Sequence, residues 1–508
     1  MLKKLFGVCF FSIVATVPLF AQVDSSLHFA SSYPLLEQIS LWDRYNLFKE
    51  QGALLLEDIM PQRLSVTQIG AVRASGGFKP YQQAENEMGT HFKAEGGRKM
   101  KKLWVWGQFE FSNHTQDSIR WGHRKESESS TPFYYASQRA VHYQKTDYAI
   151  QTVIGTPLYK NLSASISTDY GMGDHYSTND PRAVLKHFKL KLAPALQYNR
   201  GHLGIEAKGI WGYGQQESQV DYRNKEYYES SQWPEYHNYL SNGYGTIRTA
   251  LSFSDRVYTN NQDYRGGGLS AFYKGSLHWY GSVAYESLHE EYDRGNSSGR
   301  YDGYDMYGDY DLDEWKASLE LNDKSLTWRL RLWSIAQRGE DYNFDFSGNN
   351  YKYYRDEYGI AMYMRLKQTD LYADVKSTFT GQRDGNMMIN RERGRHHIYL
   401  QAEQSFSELP VRAMIGLGYS RPYKTHFSKS PRTTVDFIEQ VVRHDVVLDN
   451  SDYWQTYFGA RYFFSMVSFR WQAKACWEGT FGNPPVMSSG VDFSRYRSVS
   501  QASLSLFF

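Results

Sequence analysis

The chain has 508 residues, a net charge of +2 and a mean hydropathy of −0.63, yet aromatic residues make up 16% of it. The near-neutral charge gives no basis for nucleic-acid binding, which requires a strongly basic surface. Beyond the first residues, no stretch approaches the ~20 apolar residues that a membrane-spanning helix needs. Helical spans are therefore excluded. A β-barrel stays compatible, because its lipid-facing and lumen-facing residues cancel in any average.

The first 21 residues have the pattern of a secretory signal peptide. Lys3 and Lys4 supply the positive charge, Leu5–Leu19 form the apolar run, and Ala21 is the small residue before a cut. We therefore predict that residues 1–21 are a signal peptide that directs the chain out of the cytoplasm.

Residues 22–63 have helical rather than strand periodicity. Leu35, Ile39 and Trp42 fall at helical spacing after Pro34, a residue favoured at the first position of a helix. We expect a short N-terminal helical segment here. Two interpretations stay open: an amphipathic piece packed at the periplasmic rim, or a plug inside a barrel.

From about residue 64 the hydrophobic period becomes two and stays so to the end of the sequence. Ile205 and Trp211, for example, alternate with Glu206 and Lys208, and later segments repeat this contrast. Lipid on one side and water on the other require such an alternation, and it persists through more segments than a soluble sandwich shows. Residues 64–508 are therefore predicted to be an all-β, single-chain transmembrane antiparallel barrel.

Connections between these segments alternate between short and long, as they do in outer-membrane barrels. Counting back from the last strand gives about 18 strands, within a range of 16 to 20, if the strand-like piece Tyr244–Ser254 is left out of the barrel. Residues 214–265 are then one large outer loop, which could fold inward. The other long connections are expected at 113–145, 172–186, 288–311, 337–356, 382–394, 421–452 and 478–496.

The last strand also carries a pattern typical of barrels. In the segment Arg497–Phe508, an apolar face is formed by Leu504, Leu506 and Phe508, and the segment ends on an aromatic residue. This resembles the C-terminal insertion signal of bacterial outer-membrane barrels. We therefore expect the last strand to pair with the first, and we expect the chain to have outer-membrane lipid and the barrel-insertion machinery as partners.

The face predicted to line the lumen has more basic than acidic residues. Its basic members include Arg329, Arg331, Arg365, Lys367, Arg470 and Lys474. Rings of Arg and Lys favour anions in selective pores, so a weak anion preference is expected. The alternative is that these charges pair with carboxylates or face a plug.

An acidic stretch reproduces part of the carboxylate spacing of a calcium loop, with Asp309, Asp311, Asp313 and Glu320. Glu314 stands where the sharp turn of such a loop needs glycine, which favours a solvated acidic loop instead. No nucleophile elbow, paired-histidine metal motif or phosphate-binding glycine loop is present either. We predict no cofactor, no metal site and no catalytic residue.

Tyrosines are concentrated in two predicted outer loops, 214–243 and 288–311. They indicate either an interfacial girdle with packed loops or a surface that grips sugars.

Four short stretches carry a family resemblance: Leu103–Asn113, Thr131–Tyr134, Asn179–Arg182 and Ser252–Asn261. With them the chain resembles an uncharacterised outer-membrane β-barrel family of Bacteroidota-type bacteria. The resemblance implies the fold and a location in the bacterial outer membrane, and it brings no substrate or catalytic residue.

One of these stretches contains a motif with a structural explanation. Pro181 restricts Asp180 to extended geometry, and Arg182 lies two residues further on. The Asp180 and Arg182 side chains are expected to pin a loop through a bidentate pair, with a ligand-gripping Arg182 as the alternative.

Three functions follow from these predictions. The leading one is a porin-like channel for small solutes with weak anion preference, because a barrel of this size encloses an aqueous channel. The second is a non-conducting binding or assembly partner of an outer-membrane uptake or secretion complex, in which loops and plug fill the lumen and a partner protein is required. A hydrolase at the barrel rim is third, and no nucleic acid is expected as a partner.

Overall fold

The computed structural model describes residues 63–125, 130–229, 231–250, 256–294, 306–325, 327–406, 408–430, 435–466, 469–483 and 495–507. The predicted signal peptide, the N-terminal helical segment and Phe508 lie outside these residues. Among the described residues, no helix has the length and apolar character that crossing a membrane requires.

Eighteen antiparallel strands form one closed sheet. The barrel strands are β1 (Arg63–Gly76), β2 (Asn86–Lys99), β3 (Trp104–Ile119), β5 (Val141–Tyr159), β6 (Leu162–Ser177), β7 (Arg182–Arg200), β8 (Leu203–Asp221), β11 (Val257–Lys274), β12 (Leu277–Arg294), β13 (Met306–Asp323), β14 (Trp328–Asn343), β15 (Tyr351–Leu366), β16 (Thr369–Asp384), β17 (Ile389–Ser405), β18 (Val411–Ser428), β19 (Asp452–Met466), β20 (Phe469–Asn483) and β21 (Tyr496–Phe507). A separate small sheet contains β4 (Phe133–Ala136), β9 (Tyr239–Asn242) and β10 (Ile247–Thr249).

The barrel closes between its first and last strands. β1 pairs with β21 in an antiparallel register that runs from Val66 opposite Phe507 to Gly76 opposite Arg497. Leu504 lies opposite Ile69, an exposed residue of the outer face, whereas Ser505 on the other face is buried. The predicted pairing of the last strand with the first is confirmed, and so is the count of eighteen strands.

The two faces of the sheet differ as the alternation predicts. On β8, Ile205 and Trp211 point outward with 52% of their surface exposed, while Glu206 between them is 3% exposed and faces the lumen. A closed barrel satisfies its backbone hydrogen bonds internally, and an apolar outer face suits hydrocarbon. The protein is therefore an outer-membrane β-barrel.

Short connections lie at one end of the barrel, which such proteins direct to the periplasm, and most of the longer ones lie at the other. The strands continue further outward than the sequence predicted. The predicted loop 172–186 is reduced to 178–181, and the predicted loop 382–394 to 385–388. Beyond the membrane both faces of a strand meet water or polar loops, so no apolar contrast marks the strand there.

The acidic stretch is part of β13 rather than a loop. Asp309, Asp311 and Asp313 share the outward face with the exposed Trp315, whereas Glu320 lies on the lumen face and is buried. Opposite faces cannot supply one calcium site. Within the described ranges, no group of three or more metal-binding side chains comes together.

A first prediction concerns the height of the membrane band. Val283 lies on the outer face with 50% exposure, and Val283→Arg should destabilise the barrel by about 2–4 kcal/mol, because a cation at mid-membrane is costly. The matched variant Asp311→Arg places the same charge on the neighbouring strand, further outward, and should change stability little. Urea unfolding in liposomes measures both, and equal losses would place Asp311 inside the hydrocarbon.

Candidate functional site: a basic cavity beneath folded outer loops

Four outer connections fold together over the barrel. We call their described residues the plug: 77–85, 120–140, 222–256 and 429–451. The small sheet belongs to it, since β4 pairs with β9 from Phe133 opposite Asn242, and β9 pairs with β10. The large loop was predicted at 214–265, with the piece around Tyr244 outside the barrel. In the structure this piece is also outside the barrel. The loop is shorter than predicted and spans 222–256, because β8 and β11 continue outward.

The longest helical stretch of the plug lies between β18 and β19. A π-type segment at Ile438–Val442 continues into the α-helix Arg443–Asp449, here α2. Two shorter turns lie between β8 and β9, the α-helical turn Glu226–Glu229 (α1) and the 3-10 turn Pro234–Tyr236. Trp121 Nε1 donates to Gln440 Oε1 over 2.9 Å. The helical stretch Ile438–Asp449 is therefore part of an outer loop, whereas the predicted N-terminal helical segment lies outside the described residues.

The first outer connection reaches the same helix from the other side of the seam. The backbone N–H of Tyr81 donates to Asp445 Oδ1 over 2.9 Å, and the Tyr81 ring packs edge-on to His444. These loops are separated on the barrel wall only by the hairpin of β20 and β21, so their contact joins two neighbouring parts of the plug across the seam.

Tyrosines of the wall form the core beneath these loops. Fully buried rings at the outer ends of their strands are Tyr143, Tyr258, Tyr292, Tyr310 and Tyr351. The Phe133 ring lies 4.7 Å from Tyr292, and the Tyr135 ring lies 5.0 Å from Tyr258. Tyrosine suits this position, because its ring fills space while its hydroxyl finds a partner, as with Thr131 Oγ1 and Tyr292 OH at 2.6 Å.

A buried ion cluster joins the plug to the wall. Arg391 on β17 donates through Nε to Asp449 Oδ2 over 2.7 Å and through Nη1 to the Tyr244 hydroxyl over 2.5 Å, and Asp445 Oδ2 lies 3.4 Å away. Burial opposes ionisation of Asp445. The hydrogen bond from His444 and the charge of Arg391 nevertheless hold the pKa of this carboxyl below its ordinary value.

A cavity of about 490 Å³ lies beneath the plug. Seven cationic side chains border it against two carboxylates, so its charge is strongly positive. The cations are Lys79, Arg124, Arg355, Lys376, Arg391, Arg393 and Arg395, the carboxylates are Asp445 and Asp449, and the rings are Phe78, Tyr134, Tyr244, Tyr351, Tyr353 and Tyr453.

Three neighbours on β17 dominate one wall of this cavity. Arg393 has an ion contact of 3.5 Å with Asp449, and Arg395 donates to the last backbone carbonyls of α2, including Asp449 O at 3.0 Å. Cations are favourable at a helix C-terminus. The two carboxylates therefore contact Arg391 and Arg393, and Glu357 pairs with Arg355 at 2.7 Å. The lining still has more cations than carboxylates, so its net charge is positive.

Lys79 belongs to the plug itself. Its Nζ donates to the backbone carbonyl of Gln83 over 2.6 Å, and burial lowers the pKa of this ammonium to about 8. Lys79 is therefore still mainly protonated at pH 7.

The lumen-lining residues predicted from sequence have different environments. Arg329 Nη2 contacts Glu320 at 2.5 Å and Arg365 Nε contacts Asp370 at 2.8 Å, whereas Arg331 borders two cavities of the inner half. These three lie on the lumen face, as expected.

The other three predicted lumen residues lie near the inner end of the barrel. Arg470 and Lys474 share the face of the buried Gln472 on β20. Lys367 lies in the tight turn between β15 and β16 with a φ of 55°, so its placement on the wall is corrected. The chain reverses there, and the alternation that placed Lys367 on the wall ends at Leu366.

The Asp180 motif pins a loop, through more contacts than its own pair. Arg182 Nε donates to Asp180 Oδ1 over 3.2 Å, which is one contact rather than the bidentate pair expected. Asp180 also accepts from the backbone N–H groups of Arg223 and Asn224, at 3.0 Å and 3.1 Å. It therefore fixes the start of the 222–256 connection.

The cavity arginines were missed by the sequence reasoning although a signal was present. Arg391, Arg393 and Arg395 recur with period two, which places them on one face of a strand. They fell largely in the predicted loop 382–394, because no apolar residues alternate with them.

A second prediction tests the ion cluster. Arg391→Met should leave the barrel assembled but loosen the plug by about 3–5 kcal/mol, because Asp449 and Asp445 lose their buried partner. Conductance in planar bilayers and trypsin cleavage within the plug should both rise. Arg383→Met removes an exposed pair with Glu392 on the outer face and serves as the control. Equal behaviour of the two variants would contradict a structural role for the cluster.

Comparison with known proteins identifies a family and finds solved structures that have a similar fold. The outer-membrane transporter YddB from Escherichia coli aligns with 7% identity and a TM-score of 0.41, covering 87% of this chain and 80% of that one. FpvA of P. aeruginosa, bound to heterologous pyoverdines, aligns with 8% identity and a TM-score of 0.43, covering 88% and 72%. OpdK of Pseudomonas aeruginosa with vanillate aligns with 9% identity and a TM-score of 0.34, covering 89% of this chain and 100% of that one.

No curated protein matches the chain. The Bacteroidota origin expected from the sequence stays a prediction. Residues 53–508 match the model of DUF6850, a family of unknown function, and the chain belongs to that family.

Proposed function

We propose that this protein is a gated, selective channel for small organic anions across the outer membrane. The observation that carries the proposal is the cavity beneath the plug, with its seven cationic side chains and two carboxylates. A site of this charge attracts anions and disfavours cations.

The chemistry of the cavity supports an organic anion. Guanidinium groups match carboxylate and phosphate oxygens with two parallel hydrogen bonds, and the partly exposed Arg393 lies on one wall, whereas Arg395 already donates to backbone carbonyls. The partly exposed ring of Tyr453 adds a flat face that suits the apolar side of a sugar or another ring. A ring-bearing carboxylate such as a uronic acid combines both features.

Passage through the channel requires the plug to rearrange. The buried core of Trp121, Phe133 and Phe437 covers the outer mouth, and Arg391 ties it to the wall. The protein is therefore proposed to conduct in an open state of the plug that is less populated than the closed state. This differs from a permanently open porin, which was the leading expectation from sequence.

The second candidate is a non-conducting binding or assembly partner of an outer-membrane complex. The same buried core favours it, since folded loops across the mouth suit a receptor as well as a gate. The two candidates differ in one respect: a receptor conducts no solute even when the plug is loosened.

A third prediction compares uptake of glucuronate and glucose into proteoliposomes, since the two sugars differ by one carboxylate. Wild type should take up glucuronate several-fold faster. Arg393→Glu should remove or reverse this preference, because it places a negative charge in the cavity. Lys352→Glu, on the outward face of β15 two strands away, makes the same charge change and should behave as wild type.

Two outcomes would overturn the channel. Equal uptake of both sugars by wild type and Arg393→Glu would contradict anion selectivity. An absence of uptake by both wild type and the loosened Arg391→Met variant would favour the receptor, whose partner would then be sought by crosslinking in intact membranes.

A further inference from the structure

The basic cavity adjoins a series of further cavities in the lumen, two of which matter here. The outer cavity is the one beneath the plug. An inner cavity of about 600 Å³ is bordered by β14 to β17 and β19 and extends to Asp370 near the periplasmic ends of the strands. A side cavity of about 430 Å³ is bordered by β6 to β8 and β12 to β14.

Two cations lie where these cavities meet. Lys376 on β16 borders both the outer and the inner cavity. Arg331 on β14 borders both the inner and the side cavity. The three spaces are therefore adjacent, and each junction has a positively charged side chain beside it.

Other cations of the inner half are held by carboxylates. Such pairs join Lys191 to Glu286 at 2.8 Å, Lys316 to Glu314 at 2.5 Å, Arg329 to Glu320 at 2.5 Å, Arg365 to Asp370 at 2.8 Å and Arg461 to Glu403 at 3.6 Å. A cation compensated in this way has little net attraction for an anion in the lumen.

The junction cations differ from these pairs. In the part of the chain that the structure describes, neither Lys376 nor Arg331 forms an ion pair within 4.0 Å, although Glu357 and Asp374 border the inner cavity with them. The Nε of Arg331 is buried without a hydrogen-bond partner, and its guanidinium lies 5.8 Å from the Trp333 ring centroid. A buried donor without a partner is unfavourable. An incoming anion that accepts a hydrogen bond from this Nε would therefore be stabilised.

We infer that Lys376 and Arg331 are the transfer residues that pass the anion from the outer cavity into the inner cavities. The inference rests on the proposed function and assigns the route and its specificity-determining positions. Conduction requires sites that bind well enough to admit a solute and weakly enough to release it. Single cations without a close ion-pair partner at successive junctions meet that requirement, whereas the cluster in the outer cavity supplies capture.

The test separates capture from transfer. Arg331 does not border the outer cavity, so Arg331→Gln should leave glucuronate affinity of the detergent-solubilised protein unchanged in calorimetry while it lowers glucuronate uptake by about tenfold, because the charge-assisted contact is lost. Arg331→Lys keeps the charge and should restore most of the uptake. Lys376→Gln should lower uptake and also weaken binding, because Lys376 borders both cavities.

The matched control removes a compensated cation together with its partner. The double variant Arg329→Gln with Glu320→Gln should change uptake by less than about twofold, because no net charge is lost. Heat-dependent migration on gels verifies barrel assembly of each variant. If Arg331→Gln does not assemble, Arg331→Met takes its place as the variant that removes the charge, and Arg331→Lys stays the variant that keeps it.

The outcomes distinguish this inference from the proposed function. If Arg393→Glu abolishes glucuronate preference while Arg331→Gln and Lys376→Gln transport as wild type does, the channel stands and the transfer role is wrong. If Arg331→Gln loses glucuronate affinity together with uptake, Arg331 belongs to the capture site, and the role assigned here is also wrong. If wild type and Arg391→Met take up neither sugar, the channel and the route both fail.

Discussion

The structure depends on one constraint: in hydrocarbon, every backbone N–H and C=O must find a partner within the protein. The seam between β1 and β21 meets it by pairing Val66 with Phe507 and continuing to Gly76 and Arg497. Without this seam, two strand edges would face lipid, and each unpaired group would cost several kcal/mol. The alternating pattern of the final strand therefore belongs to closure, and the outward Leu504 and Leu506 follow from the same register.

A closed ring of eighteen strands encloses a wide interior, which the protein must fill or line with polar groups. The described chain does this differently at two heights of the barrel. Near the outer mouth, loops supply an apolar core that meets the tyrosines of the wall, such as Tyr258 and Tyr292. Further in, the wall carries charges, many of which are compensated by partners on neighbouring strands. The plug is thus bound to the wall by burial, with Arg391 providing the charged contact that fixes its orientation.

Much of the fold could be predicted from the sequence. Residues that face lipid are apolar and residues that face the lumen are polar, so the two kinds alternate along each strand. Strand number, closure and the exclusion of the piece around Tyr244 all follow from that contrast and from turn counting. The outer limits of the strands do not, since above the membrane both faces are polar. Arg391, Arg393 and Arg395 were hidden for this reason, and the plug was hidden because its contacts, such as Tyr81 to Asp445, join residues 364 positions apart.

Charge counting on the predicted lumen face was the weakest step, and the structure shows why. Arg329 and Arg365 belong to that face, but each has a carboxylate on an adjoining turn or strand that removes most of its influence on a passing ion. Sequence order cannot show such compensation between strands. In the proposed channel, the positive charge that acts on a solute is the charge without a close carboxylate partner. It is concentrated beneath the plug and beside Lys376 and Arg331. In the proposed channel, selectivity therefore depends on where cations lack a close carboxylate partner, and a modest overall charge of +2 is compatible with a basic site.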